Sequence, residues 1–332
     1  MTRTRVQDAL DTELAAVLTA AGLTGPHAPL VPIAGGQDNH VYATRAAGCD
    51  LVVKAPRSGR IRYGVAAWAA AQLAAVGVPA PRVVGYRDRL LVETRCPGMP
   101  LHAYRPCHDS FGASATPLPV DVATAAGHLL RRVHTVPVHG YGRLDTTGVG
   151  LRPSLGSWIL HLPPLPSDAG ADLHALRGQA QQVLRHHLHL LQSIPAALLH
   201  GDWTARHVIV DDGRITGIVD LESVRGGDPL ADLAGWSLQE PRDLTGALFG
   251  GYFTGTPSGA DRMRLALYRI RIAAAMLAPH VAHGEHAQLA LRTAQLHADL
   301  ADLSCGQPAT LPAITPCSTE HGGPHADPNL AP

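Results

Sequence analysis

The chain has 332 residues and carries 27 Lys and Arg against 27 Asp and Glu, a formal net charge of zero. That length allows two lobes with a sizeable core. The charge balance, without a long basic block, argues against nucleic acid as a partner, and the apolar runs at 65–71 and 272–279 are too short to span a membrane.

The predicted elements follow in chain order. Val6, Leu10, Leu14, Val17 and Leu18 have helical spacing. Three strands are predicted at 30–33, 41–44 and 51–54, the last ending on Lys54. Gly35-Gly36-Gln37-Asp38-Asn39-His40 turns the first strand into the second, and glycines there let backbone approach a phosphate closely. An Ala-rich helix is predicted over 62–76, stopped by Gly77 and Pro79. Residues 89–94 read as a strand and 97–101 as a hinge. Beyond it, 105–119 reads as loop and 122–136 as a helix with Leu129, Leu130 and Val133 on one face. Residues 137–153 read as a turn-rich linker, and 154–194 as helical around a Pro-rich break at 163–166. Further helices are predicted at 260–278 and 285–303, with a poorly packed Pro-, Gly- and Thr-rich tail over 305–332.

Five cysteines (Cys49, Cys96, Cys107, Cys305 and Cys317) show no Cys-x-x-Cys spacing, and the N-terminus shows no secretory pattern. Both point to a reducing cytoplasm. His186, His187 and His189 read as a solvated run rather than a metal site, because no third ligand stands at helical spacing.

The most informative stretch is His200-Gly201-Asp202-Trp203-Thr204-Ala205-Arg206-His207. An apolar run at 208–210, a turn at Asp211-Asp212-Gly213 and a second apolar run follow, ending on Val219-Asp220-Leu221-Glu222. This is a hairpin with an acid before and after it, and its pairing folds Asp220 back towards Asp202. Two carboxylates held together suit phosphoryl transfer: one accepts the proton of an attacking hydroxyl, the other holds a magnesium ion.

His200-Gly201-Asp202, the later Asp220, Gly226-Gly227-Asp228-Pro229 and Asp232-Leu233-Ala234 resemble the aminoglycoside phosphotransferase and choline kinase-like family. The resemblance implies an α+β, bilobal protein-kinase-like fold. A small β-rich lobe would span 1–96, with its hinge near 91–98, and a larger, mostly helical lobe 97–304. It further implies ATP, with GTP open, and Mg2+ or Mn2+ as cofactors. Asp202 would be the catalytic base, with Arg206 steadying the transferred phosphoryl group. Asp220 and His207 would hold the metal. Lys54, Gly35, Gly36 and Asn39 would hold phosphates, and Glu93, Thr94 and Arg95 would lie against the base. His200 would orient the loop.

Two departures stand out. The family's metal-binding Asn falls on His207, and no acid lies between Lys54 and Asp88 to pair with Lys54 from the helix. Either Lys54 takes its counter-charge from Asp220 and the phosphates, or the nucleotide site is reshaped. The acceptor helices carry six acids (Glu240, Asp243, Asp261, Glu285, Asp299, Asp302) and six arginines (Arg242, Arg262, Arg264, Arg269, Arg271, Arg292). A polycation would need an acidic excess. The expected reaction is therefore O-phosphorylation of a neutral or anionic hydroxylated small molecule, most simply an antibiotic of nucleoside or sugar-bearing type, by a monomer or dimer. A pseudokinase-like binding protein, or a kinase of choline, a sugar or an amino-acid-like metabolite, is the alternative.

Overall fold

The computed structural model describes residues 3–33, 38–57, 62–104, 118–191 and 193–305, with side chains of the first helix from Ala9 onward. Gly35, Gly36 and the tail from 306 lie outside the described residues.

Helix α1 (Arg3–Ala20) precedes an antiparallel sheet of β1 (Val31–Ile33), β2 (Asn39–Ala46), β3 (Cys49–Pro56), β4 (Val83–Arg87) and β5 (Leu90–Thr94), ordered β1-β2-β3-β5-β4. Helix α2 (Tyr63–Ala75) links β3 to β4. Ala47 and Gly48 turn β2 into β3 with φ of 47° and 79°, the left-handed pair that matches strand twist in a two-residue hairpin. Alternation then sorts the side chains by face. Leu51, Val53, Leu90 and Val92 join Leu14, Val17 and Leu18 of α1 in one core. Leu91 packs instead into the main core with α2. Lys54 and Glu93, both buried, are paired on this second side of the sheet.

The chain leaves the sheet through Gly98 (φ 97°), where an added Cβ would strike the Val210 carbonyl. In order follow β6 (Met99–Pro100), α3 (Pro119–Val133), β7 (Tyr141–Leu144), β8 (Gly150–Arg152), α4 (Leu155–Ile159), α5 (Ala171–His186), β9 (Ala197–Leu199), β10 (Val208–Asp211), β11 (Arg214–Ile218), β12 (Arg225–Gly227), α6 (Leu230–Gln239), α7 (Arg242–Tyr252), α8 (Gly259–Ala282) and α9 (His286–Ser304). Two small sheets, β11-β10-β6 and β8-β7-β12-β9, sit among these helices. A β-rich first part and a helical second part make the α+β arrangement expected from the sequence.

Helix α8 is the centre of the second part. Leu265, Leu267, Tyr268, Ile270, Ala273, Ala274 and Leu277 are buried on it, against α5, α6 and α9. By length and composition α8 is apolar enough to cross a membrane, which the short runs in the sequence did not suggest. Here it is a packed core helix. The linker predicted at 137–153 instead contains β7 and β8. These strands have four and three residues, too few for alternation to register, and Gly140, Gly142 and Gly148 around them have positive φ.

Candidate active site

Strand β9 delivers the chain into His200-Gly201-Asp202, and Gly201 takes φ 78° to make the bend. Asp232 on α6 fixes this loop from below. Its carboxylate accepts the backbone N–H of His200 (2.7 Å) and of Gly201 (2.9 Å). The same group lies 3.3 Å from His134 Nε2, and His134 Nδ1 lies 2.9 Å from the Tyr252 hydroxyl. Burial alone would raise the Asp232 pKa; the His134 hydrogen bond and the Gly201 N–H are among the contacts that hold it below the usual carboxylate value.

His200 ties the loop to the strand that precedes Asp220. Its Nε2 donates to the Val219 carbonyl (2.9 Å), and its Nδ1 accepts the Asp202 N–H (3.3 Å). That pattern needs the neutral ring, and burial, then the nearby His207, pushes its pKa down. The residue is a positioning group, in keeping with the loop-orienting role expected of it.

The hairpin of β10 and β11 turns at Asp212 (φ 44°) and Gly213 (φ 72°). Beyond it the Val219 N–H donates to the His207 carbonyl at 3.0 Å, which sets His207 beside the following Asp220. Asp220 itself has φ 67°, a left-handed conformation uncommon for a residue with a side chain. His207 bridges the two acids: Nδ1 is 3.6 Å from Asp202 Oδ2, and Nε2 is 3.5 Å from Asp220 Oδ2. Potential ligand atoms of Asp202, His207 and Asp220 all lie within 4.8 Å of one another, and this is the one such group among the described residues. His207 Nδ1 is also 2.8 Å from the Asp202 carbonyl, so Nδ1–H donates there and Nε2 keeps its lone pair towards Asp220. Metal-ligating histidines are commonly oriented by such a carbonyl. A lone pair facing a carboxylate asks for positive charge between them. Two carboxylate oxygens and an imidazole nitrogen therefore fit a divalent cation, with manganese tolerating the nitrogen better than magnesium does.

Lys54 completes the site from β3. Its ammonium is 3.2 Å from Glu93, 3.2 Å from Glu222 and 3.8 Å from Asp220. Burial lowers the Lys54 pKa, but the three carboxylates raise it above its ordinary value. Burial also opposes ionisation of Asp220, yet the Lys54 ammonium and a hydrogen bond from Glu222 hold its carboxyl low. Glu222 moves upward through burial and the charges of Asp220 and Glu93, against the pull of Lys54.

This arrangement answers the missing helix acid. Lys54 takes its charge partly from Asp220, as one sequence alternative had it, and also from Glu93 and Glu222, which that alternative left out. The Glu93 side chain lies under Lys54 because β3 and β5 pair Lys54 with Leu91 and Val52 with Glu93, making the two charges diagonal neighbours. Its in-phase alternation with Lys54 was the available signal. Glu222 had none beyond its nearness to Asp220. A 3₁₀ turn at Leu221–Ser223 carries it back to Lys54.

The remaining site residues are less converged. Asn39 accepts the Tyr63 hydroxyl at 3.0 Å and donates to Glu222 at 3.4 Å. The Arg95 N–H is spent on the Asp50 carbonyl, and its side chain is exposed. Arg206 is exposed and donates to Gln239 at 3.4 Å; among the described residues no ion pair joins it to Asp202 or Asp220. Asp228, in the Gly-Asp-Pro stretch, is structural: it accepts Arg264 Nη1 (2.8 Å), the Tyr268 hydroxyl (3.0 Å) and the Leu230 N–H (3.1 Å).

A sheet with a buried, acid-paired lysine, set beside two aspartates bracketing a hairpin, defines a phosphoryl-transfer fold. The chain belongs to the phosphotransferase enzyme family, whose sequence profile matches residues 29–268. The resemblance read from the His-Gly-Asp stretch is thus borne out, and the protein is a small-molecule phosphotransferase. Among solved structures, a thermostable mutant of aminoglycoside phosphotransferase APH(4)-Ia in its apo form is similar with TM-score 0.70 and 17% identity, over 87% of this chain and 99% of that one. A choline/ethanolamine kinase family protein from Mesorhizobium loti gives 0.58 and 22%, over 88% and 94%. The macrolide 2'-phosphotransferase MphH from Brachybacterium faecium gives 0.55 and 22%, over 86% and 97%. These likenesses establish the bilobal kinase-like fold. No curated protein matches the sequence.

Proposed function

We propose that the protein transfers the γ-phosphoryl group of ATP to a hydroxyl of a small molecule, an antibiotic being the acceptor class favoured. The carrying observation is the Asp202–His207–Asp220 cluster with Lys54 3.8 Å from Asp220. Asp202 orients and partly deprotonates the acceptor hydroxyl. Asp220 and His207 hold Mg2+ or Mn2+, and Lys54 holds the α- and β-phosphates. A metal held there would supply positive charge to neutralise the phosphates. Most of the rate comes from positioning and charge neutralisation, because little covalent chemistry falls to the protein.

Nucleotide use is supported by the similar fold of APH(4)-Ia, seen in ternary complex with AMP-PNP and hygromycin B. The acceptor is a different matter. Several acids of the acceptor helices are engaged at home: Asp261 with Arg264, Asp299 with Arg269, Glu285 with His280, and Glu240 with the Ala205 N–H. Little is left to hold a polycation, which supports a neutral or anionic acceptor. The described cysteines Cys49, Cys96 and Cys305 are free thiols, in keeping with a cytoplasmic site of action.

The test is a panel of hydroxylated antibiotics and primary metabolites incubated with ATP and read by mass spectrometry for a phosphate-sized gain. One acceptor should gain the group, and Asp202→Ala should lose about 10²–10⁴ in kcat, the usual scale of a positioned base. Transfer that survives Asp202→Ala undiminished would overturn the assignment of the base.

A further inference from the structure

Beside the catalytic loop lies a group of arginines that phosphoryl transfer, as argued above, does not use. In the register of β12 against β7, Arg225 stands directly opposite Arg143. On its other side Arg225 pairs with Leu199, three residues before Asp202. Its guanidinium lies against the backbone of Gly201, where an added Cβ would meet Arg225 Nε. Arg62, just before α2, reaches into the same place: its guanidinium donates to the carbonyls of Glu222, Leu144 (3.1 Å) and Val224 (3.4 Å), the last two being chain neighbours of Arg143 and Arg225.

Like charges opposed across a strand pair are destabilising. Burial and Arg143 hold the Arg225 pKa below its ordinary value, even though Asp232 and Asp202 attract Arg225 through space. Among the described residues no ion pair involves Arg62, Arg143 or Arg225. Among the described residues Arg225 donates only through Nε, to the Ser223 carbonyl at 3.3 Å, and Arg143 is exposed. The acids within electrostatic reach have other work. Glu222 is on Lys54, Asp232 holds the loop, and Asp202 faces His207. Asp145, two residues from Arg143, accepts the N–H groups of Thr147 and Val149 and the Thr147 hydroxyl. The three cations also act on each other: burial first, then Arg143 and Arg225, lowers the Arg62 pKa to about 10.

We propose that Arg62, Arg143 and Arg225 form an oxyanion site that takes a phosphate or carboxylate group beside Asp202. Guanidinium forks match such groups in plane and in spacing, and Arg143 and Arg225 retain donors to offer. Two sources supply that chemistry. One is an anionic group on the acceptor itself, which would make the acceptor class anionic; this arm rests on the function proposed above. The other is a free phosphate ion that stiffens the junction of the catalytic loop, the 3₁₀ turn and α2.

The first experiment reads binding without catalysis. Thermal unfolding of the full chain is followed against inorganic phosphate, with chloride at matched ionic strength as reference. A saturable rise in Tm is expected, shifted to at least about tenfold higher phosphate in Arg143→Gln, since one charge-assisted contact is worth about that factor. Arg143 is exposed, so this variant should fold. No rise beyond chloride, or the same midpoint in Arg143→Gln, overturns the site. The second experiment compares acceptors that differ by one phosphate or carboxylate. A preference for the anionic member that falls about tenfold in Arg143→Gln assigns the site to the acceptor. Equal use of both members, with turnover raised by added phosphate in wild type and not in Arg143→Gln, assigns it to the free ion. If no acceptor is phosphorylated while the phosphate midpoint still shifts, the proposed function fails and the oxyanion site stands.

Discussion

Lys54 Nζ and Glu222 Oε2 meet at 3.2 Å across 168 residues of chain, joining the N-terminal sheet to the turn that follows Asp220. Glu93 meets the same ammonium at 3.2 Å from within the sheet. One carboxylate is therefore local and one comes from the other half of the molecule. Lys54 and Glu93 are buried and Glu222 is partly so, and a buried ammonium stripped of its partners costs about 3–5 kcal/mol. Either single change, Glu93→Gln or Glu222→Gln, leaves one of the two close carboxylates in place and should cost less, about 1–3 kcal/mol. The double variant should cost more than the two singles added together. Urea unfolding of the four proteins measures this. Simple additivity would show that the two acids do not share the charge.

Asp232 predicts a pH dependence. Its carboxyl titrates lower in the folded protein than in the unfolded chain, for the reasons given above. A depressed carboxyl contributes stability at pH above the unfolded value, about 4, and that contribution is lost as pH falls through the lower folded value. Asp232→Asn should cost about 2 kcal/mol at pH 7, on the scale of charge-assisted hydrogen bonds. The gap between variant and wild type should narrow below pH 4. A gap constant from pH 7 to pH 3 would mean that the charge of Asp232 does not hold the loop.

Much of this arrangement could be read from the sequence, and the parts that could not have a common cause. The hairpin between Asp202 and Asp220 was legible because Asp211-Asp212-Gly213 between two apolar runs leaves the chain few other choices. The strand ending at Lys54 and the helices of the second half were legible by period. What escaped was set by contacts between distant segments. β7, β8 and β12 have three or four residues each and exist because they pair with one another and with β9. Glu222 reaches Lys54 only through the turn after Asp220. The face of β5 that carries Glu93 depended on its register against β3, which reading 89–94 as a strand does not supply.

Two glycines give a stability test in opposite directions. Gly251 on α7 faces the backbone of Thr124 on α3, and an added Cβ would collide with the Thr124 carbonyl, which no side chain can yield to. Gly251→Ala should therefore cost about 1–3 kcal/mol by forcing α3 and α7 apart. Gly178 on α5 has nothing within 4 Å of its added Cβ. Gly178→Ala should stabilise by about 0.5–1 kcal/mol, because alanine restricts the unfolded chain and favours helix. Thermal or urea unfolding separates the two. A neutral Gly251→Ala would show that the helices are not in backbone contact.

His207 carries the most specific consequence for chemistry. Its Nδ1–H is committed to the Asp202 carbonyl at 2.8 Å, so Nε2 is the atom left to face Asp220 at 3.5 Å. A nitrogen in that position ranks manganese above magnesium, which prefers oxygens in a near-octahedral array. His207→Asn replaces it with a carbonyl oxygen that can turn towards the same point. The ratio of manganese- to magnesium-supported turnover should then fall on the order of tenfold, the scale of single changes around a metal. Magnesium-supported turnover should be kept or raised. Metal titrations of wild type and variant, at fixed nucleotide and pH, measure both. A ratio that does not move, with turnover retained, would remove His207 from the metal's ligands and leave it the single task of spacing Asp202 from Asp220.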